Sequence, residues 1–367
     1  MTIPEIAMIP GDGIGVDVAD AAQICISCAL TRLGAEHPRY RRIDAGAAYF
    51  QATGQEIEPG GLDRAGEADA MFLGAIGLPS VRNADGTEIS PHLRLREIYQ
   101  LYAGVRPVKA YPNAPQRLAD PRAAEIDLII LRESTEGLFY AAAVHGRSEV
   151  IPGVEVRDTM RITRSVTERL HRFGFRLAAK RKARGGQGRV TCVDKSNVFQ
   201  SMAFFREIYD EISAEFPLLE TGYSYVDAQA LDLVRKPWEA DVLVMENMFG
   251  DILSDLAGGL VGGMGMAACG EYGDAHALFQ PAHGSAPDIM GQDKANPLAA
   301  ILSGAMMLDY LGEKMGLPAY EDAAQVIENA VQAGFEANAL RPNEFGGDMG
   351  TQAVTRAVCQ FIVEVPL

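Results

Sequence analysis

The chain has 367 residues, of which 48% are hydrophobic and 22% charged, and it carries a formal net charge of −16. That length exceeds what one simple core serves, so two domains or one large α/β unit are expected, while the acidic excess argues against non-specific affinity for nucleic acid or an anionic membrane. Cys25, Cys28, Cys192, Cys269 and Cys359 make no disulfide framework, and no segment of about eighteen apolar residues occurs, so a reducing, cytoplasmic setting is expected.

Residues 3–9 read as a short apolar strand running into the turn PGDGIG at 10–15, followed by a helical pattern over 16–33. The glycines at 11, 13 and 15 do not match G-x-G-x-x-G, so no dinucleotide fingerprint is assigned. Cys25 and Cys28 form a CxxC inside the apolar run AAQICISCAL; with no second pair, it reads as core packing. Further strands are expected at 70–76, 127–131, 189–193, 241–245 and 277–279, and helices near 163–181, 197–215, 297–311 and 321–334. Such alternation implies a mainly parallel sheet covered by helices.

After a loop at 77–86 come Ser90, His92, Arg94, Arg96 and Arg106. Arg96 and Arg106 flank Ile98, Tyr99, Leu101 and Tyr102, which suggests a helix leading into a strand with both guanidiniums near one cleft. Arg132 ends the run EIDLIIL, and the carboxyl ends of strands are where open α/β sheets hold ligands. Residues 137–158 lack a helical pattern and read as an extended arm or hairpin. Lys195 and Asp227 follow strand-like runs in the same way, and the loop HGSAPD at 283–288 is polar and glycine-bearing.

The densest segment is VLVMENMFGDILSDLAGGLVGGMGM at 242–266. Phe249, Ile252, Leu253, Leu256 and Leu260 recur at helical spacing, which puts Asp251 and Asp255 on one helix face, one turn apart. Alone, that pair is either a solvated polar stripe or half of a site for a hard cation such as Mg²⁺ or Mn²⁺.

In this order the motifs are specific. PGDGIG, LRLREIYQLYAGVRPVK, ILREST, TCVDKSNV, YVDA, ENMFGDILSDLAGGLVGGMGM and HGSAPDIMGQDKANP span nearly the whole chain, which resembles the β-decarboxylating dehydrogenases that act on isopropylmalate, isocitrate, homoisocitrate, tartrate or D-malate. The resemblance implies an isopropylmalate dehydrogenase-like α/β fold: two α/β domains with a central cleft, in a homodimer. Residues 1–108 and 261–367 would form a discontinuous large cofactor-binding domain, and 109–260 a smaller one with the dimerisation helices and arm.

It further implies that Arg96, Arg106 and Arg132 hold the carboxylate to be lost. Asp251 and Asp255 would bind Mg²⁺ or Mn²⁺ together with Asp227 from the other subunit, which would also supply Lys195, with Asp227 beside it, to accept or relay the hydroxyl proton. His283, Gly284, Ser285, Ala286 and Asn296 would line the adenosine and phosphate side of the cofactor. Asp288-Ile289 stands where NADP-using relatives carry lysine and tyrosine, so NAD is expected, its ribose hydroxyls held by Asp288.

Two positions depart from the family. Phe139 replaces the tyrosine that protonates the enolate; Tyr140 is the neighbouring phenol, on the opposite face if the segment is extended, and His145 is another candidate donor. His92 stands where relatives taking the isopropyl substituent carry a leucine, with Ser90 two residues earlier; isocitrate-type members use serine and asparagine at these places to bind a third carboxylate. The expectation is therefore a malate-type 2-hydroxy acid such as tartrate, D-malate or a related substituted malate, with 3-isopropylmalate dehydrogenase, or a non-catalytic regulatory subunit of an isocitrate dehydrogenase-type assembly, as alternatives.

Overall fold

Apolar runs become the interior strands of the computed structural model, which describes residues 3–142 and 148–366. The strands are β1 (Glu5–Gly11), β2 (Arg39–Arg42), β3 (Ala70–Ala75), β4 (Ala103–Lys109), β5 (Asp127–Glu133), β6 (Glu149–Ile151), β7 (Glu155–Arg157), β8 (Arg189–Asp194), β9 (Glu220–Tyr225), β10 (Val242–Met245), β11 (Ala268–Tyr272) and β12 (Ala277–Pro281). All but β6 and β7 join one ten-stranded sheet in the order β2-β1-β3-β12-β11-β4-β5-β10-β8-β9. Each end of the sheet is parallel, as alternating strands and helices require. The middle is not: β11 runs antiparallel to both β12 and β4, and β4 antiparallel to β5, so the sheet is mixed.

Both chain ends contribute to one apolar cluster, in which Val18, Cys25 and Phe72 meet Leu308, Phe335 and Val358. Strands of the middle region are buried on both faces. Ile129, Leu131, Val242 and Val244 pack with Phe175 and Tyr209 on one side, and Leu128, Ile130, Leu243 and Met245 pack with Leu253 and Leu260 on the other. Alternation along each strand produces this division.

The centre of the sheet positions the site. Glu271 of β11 stands opposite Gly104 of β4, and Gly104 opposite Arg132 of β5, so one cross-sheet row reads Glu271, Gly104, Arg132. Arg106, two residues beyond Gly104, points to the same face. Because Gly104 has no side chain, the groups on either side close over it; a Cβ there would lie 2.7 Å from Ser134 Oγ and 3.0 Å from Glu271 Oε2.

Two expectations are corrected. The segment expected to be extended begins with a short helix, Phe139–Ala142, before β6 and β7 form a hairpin. Ile252, counted among the core residues of its helix, is 59% exposed, whereas Leu253, Ala257 and Leu260 are buried. His145 lies outside the described residues.

Candidate active site

Three guanidiniums converge beside the central strands. Arg96 comes from the last turn of the helix Pro91–Ile98, Arg106 from β4 and Arg132 from the end of β5, and all three are buried. Each is fixed by a different group. Arg96 Nη2 donates to Glu271 Oε1 at 2.7 Å, Arg106 Nη1 to Ser254 Oγ at 2.5 Å, and Arg132 Nε and Nη2 to Asn247 Oδ1 at 2.9 and 2.7 Å. Asn247 is held in turn, its amide donating to the Glu136 carbonyl at 3.1 Å.

Of the carboxylates that meet these three cations only Glu271 is fully buried; Asp251 and Asp255 are open to solvent. Burial, then the neighbouring Arg106 and Arg96, lower Arg132 to about 10. Burial alone would raise the Glu271 carboxyl, but Arg96, Arg106 and Arg132 outweigh it and hold it below its ordinary value. Arg96 Nε and Arg106 Nε are buried without an acceptor among the described residues. Unfilled donors on crowded guanidiniums make a receptor for a carboxylate, whose two oxygens match the planar fork.

The helix Asn247–Leu260 lies against this cluster. Its N-cap Glu246 accepts from Met248 N at 3.0 Å and Phe249 N at 3.2 Å, satisfying two of the free amides of the first turn. Close approach depends on Gly250, where a Cβ would come within 2.6 Å of Arg132 Cβ. Asp251 and Asp255 do share one face: Asp251 Oδ1 pairs with Arg132 Nη1 and lies 3.3 Å from Arg106 Nη2, and Asp255 Oδ1 lies 3.7 Å from Arg106 Nη1. Burial and Asp251 raise the Asp255 carboxyl, against the pull of Arg106. Two oxygen-donor carboxylates one turn apart, both open to solvent, suit a hard cation that takes further ligands from elsewhere. Among the described residues no three metal-ligating side chains gather within one chain.

Asp227 sits in the first turn of the helix Val226–Arg235, after β9, and accepts from Lys195 Nζ at 2.5 Å. The hydrogen bond from Lys195 lowers its carboxyl. The structure therefore joins the two expected proton-relay residues to each other.

Ser90 is the N-cap of the helix Pro91–Ile98 and His92 lies in its first turn, four residues from Arg96 and on the same face. Burial, followed by the nearby Arg96, lowers the His92 imidazole to about 3, and its Nδ1 has no partner among the described residues. At neutral pH it is an uncharged imidazole beside the arginines. In the short helix Phe139–Ala142, Phe139 faces the Arg132 guanidinium, with 4.9 Å from Cζ to the ring centre, and Tyr140 lies on Arg161 at 3.9 Å.

The cofactor candidates form a separate group. The PGDGIG turn packs on the 283–288 loop: Ile14 N donates to the Ser285 carbonyl at 2.7 Å, and a Cβ on Gly13 would lie 2.0 Å from that oxygen. Asp12 ties the turn down, accepting at 2.8 Å from the amides of Ala47, Ala48 and Gly77. Gly284 is exposed, Ala286 has a left-handed φ of 34°, and Asp288 is exposed in the single turn Pro287–Ile289. His283 Nε2 is buried without a partner among the described residues, and Asn296 donates to Glu344 at 2.9 Å. The His283 ring nitrogen, the exposed loop backbone and the exposed Asp288 carboxylate are groups that fit a nucleotide.

Residues 5–362 match the family model described as isocitrate/isopropylmalate dehydrogenase. The chain belongs to that family. Among its relatives, the 3-isopropylmalate dehydrogenase of Moorella thermoacetica is 41% identical over 334 residues, covering 89% of each chain. The 3-isopropylmalate/3-methylmalate dehydrogenase of Methanocaldococcus jannaschii is 36% identical over 361 residues, covering 98% of this chain and 99% of the relative. The crystal structure of isocitrate dehydrogenase from Methylococcus capsulatus superposes with a TM-score of 0.84 at 33% identity, covering 98% of this chain and all of the other. As a member of the isocitrate/isopropylmalate dehydrogenases, the chain is a decarboxylating dehydrogenase with the expected α/β fold. Among the described residues no helix is long and apolar enough to cross a membrane.

Sequence reasoning missed Glu271, Asn247 and Ser254, which hold the three arginines. Asn247 and Ser254 lay within a recognised motif, but their partners were invisible without β4 and β5 in register. Glu271 sits in the run ACGEY, whose small and charged residues give no strand signal.

Proposed function

We propose that this protein catalyses the NAD- and divalent-metal-dependent oxidation and decarboxylation of a 3-substituted malate, with 3-isopropylmalate as the first substrate to test. The observation that carries the reaction class is the convergence of Arg96, Arg106 and Arg132 beside the Asp251–Asp255 face. For the substrate, the relatives named as acting on 3-isopropylmalate reverse the order reached from the sequence, where tartrate and D-malate came first.

When bound, Mg²⁺ or Mn²⁺ polarises the 2-hydroxyl and stabilises negative charge on the oxygen, and the nicotinamide accepts hydride. The three arginines grip the carboxylate that departs. Lys195, held by Asp227, takes the hydroxyl proton. Tyr140 returns a proton to the decarboxylated carbon, its ring oriented by Arg161. Ser90 and His92 line the pocket for the substituent at C3. Asp251 and Asp255 hold the cation together with Asp227 of a second copy, so two chains share each site. Exposed Val198, Phe199, Leu231, Val234 and Ile252, and the apolar hairpin residues Val150, Ile151, Val154 and Val156, supply surfaces for such a homodimer. We also propose the division into a large domain, 1–108 with 261–367, and a middle domain, 109–260.

A malate or tartrate substrate is the second reading, favoured by the uncharged, unpartnered His92, which can accept a hydrogen bond from a substrate hydroxyl. Purified protein with Mn²⁺ and either NAD or NADP, assayed on 3-isopropylmalate, D-malate, tartrate and isocitrate, ranks the readings. The highest kcat/KM is expected for 3-isopropylmalate with NAD. Preference for tartrate or D-malate selects the second reading, and inactivity with every acid refutes the proposed function.

A further inference from the structure

The CxxC motif has no part in the active site, yet the structure completes it with a third thiol. Cys25 and Cys28 lie on one face of the helix Gly15–Arg32, which packs against the helix Thr351–Glu364. Cys359 of the second helix comes 3.0 Å from Cys28 Sγ and 3.9 Å from Cys25 Sγ. The contact is held in register, because Arg32 donates to the carbonyls of Ile362 and Val365 at the end of the second helix. Cys25 is sealed in the core, whereas Cys28 and Cys359 are both partly open to solvent. The remaining thiols, Cys192 and Cys269, are each buried apart from the cluster.

We propose that Cys359 and Cys28 form a reversible oxidation site that reacts with hydroperoxides and closes an intramolecular disulfide between the first and last long helices. The roles follow from the hydrogen bonds. Cys28 donates to Cys359, and contact with Cys25 and Cys28 lowers the Cys359 thiol despite burial, while burial raises Cys28. A partly accessible thiol within 3.0 Å of a second, resolving thiol is the arrangement that reacts selectively with peroxide. In the first step the Cys359 sulfur attacks one peroxide oxygen and the O–O bond breaks, leaving a sulfenic acid and an alcohol, or water when the oxidant is hydrogen peroxide. In the second the Cys28 sulfur attacks the Cys359 sulfur, the S–O bond breaks, and water leaves with the Cys28 proton. Two thiols lose two electrons in total and the peroxide gains them. A dithiol reductant reverses the change by exchange.

The test uses the reduced full-length protein, hydrogen peroxide as oxidant, and peptide mapping after alkylation. The expected result is loss of two of the five thiols, a Cys28–Cys359 linked peptide within a single chain, and recovery on adding dithiothreitol. Cys28→Ser should trap the sulfenic acid as a dimedone adduct at Cys359, forming at least about tenfold faster than any adduct at Cys192. Cys192→Ser should oxidise like the natural chain. A Cys25–Cys28 link, a link between chains, or Cys359 reacting no faster than Cys192 overturns the proposal. The Cys28→Ser trapping assay decides the matter even if Cys359→Ser fails to fold, and none of these thiols belongs to the proposed catalytic machinery.

Discussion

Glu271→Gln is the sharpest single perturbation of the site, because it removes one charge and preserves shape. Glu271 is completely buried and accepts from Arg96, itself buried, at 2.7 Å. Removing one partner of such a pair leaves an unbalanced charge in the interior, a loss of about 3–5 kcal/mol. Coulomb's law at an effective dielectric constant near 20 gives about 4 kcal/mol for unit charges 4 Å apart, the same size. Arg106 and Arg132 also lose their buried counter-charge, so this range is the expectation for the ligand-free protein. Urea denaturation of the variant should therefore show a loss of about 3–5 kcal/mol. An anion occupying the arginines would restore part of that balance, so malate should stabilise the variant more than the natural chain. Stability within about 1 kcal/mol of the natural chain, together with equal stabilisation by malate, would refute the view of Glu271 as the fixed counter-charge.

Gly250→Ala places a methyl group within 2.6 Å of Arg132 Cβ, and the resulting shift of the Asp251 helix should lower kcat/KM by about tenfold or more; Gly259→Ala in the same helix meets nothing within 4 Å and should leave kcat/KM unchanged. His171 is fully buried and held at about 3 by burial, against an ordinary 6.5. Unfolding lets it take up a proton between those values, so its contribution is complete above pH 6.5 and declines as pH falls toward 3. Glu133, raised by burial to about 7, acts oppositely: its contribution is present below 4.5 and declines as pH rises through 7. His171→Leu should accordingly flatten the fall of the urea midpoint on acidification below pH 6.5, and an unchanged profile would show that the imidazole is solvated in the folded chain. Tyr140→Phe should leave NADH formation intact and slow release of the protonated product; identical product kinetics would remove Tyr140 as the proton donor. Asp251→Asn should abolish turnover, and full activity at saturating Mn²⁺ would count against its place as a cation ligand.

Legibility in the sequence followed burial. The strands β1, β3, β5, β8, β10 and β12 are apolar runs with interior positions, and their existence was readable from residue type. The edge strand β2, with RYRR, faces solvent and has no apolar signature, and β9, the run before Asp227, is a largely polar ETGYSY on the other edge. In the site, Asp251 and Asp255 were placed correctly on one face because helical spacing is local. Glu271 and Cys359 were not foreseeable: one requires the antiparallel register β11–β4–β5, and the other requires packing between helices separated by more than 300 residues. Tyr140 shows a different limit, since the segment expected to be extended forms a four-residue helix whose aromatic rings meet Arg132 and Arg161, contacts that local propensity does not reveal.

Simultaneous measurement of NADH and carbon dioxide from 3-isopropylmalate, with Mn²⁺ and NAD, tests the central claim most directly. Equal molar yields of the two, both lost in Arg132→Gln, are what the convergence of Arg96, Arg106 and Arg132 predicts. NADH without carbon dioxide, or undiminished decarboxylation in the Arg132 variant, would contradict it.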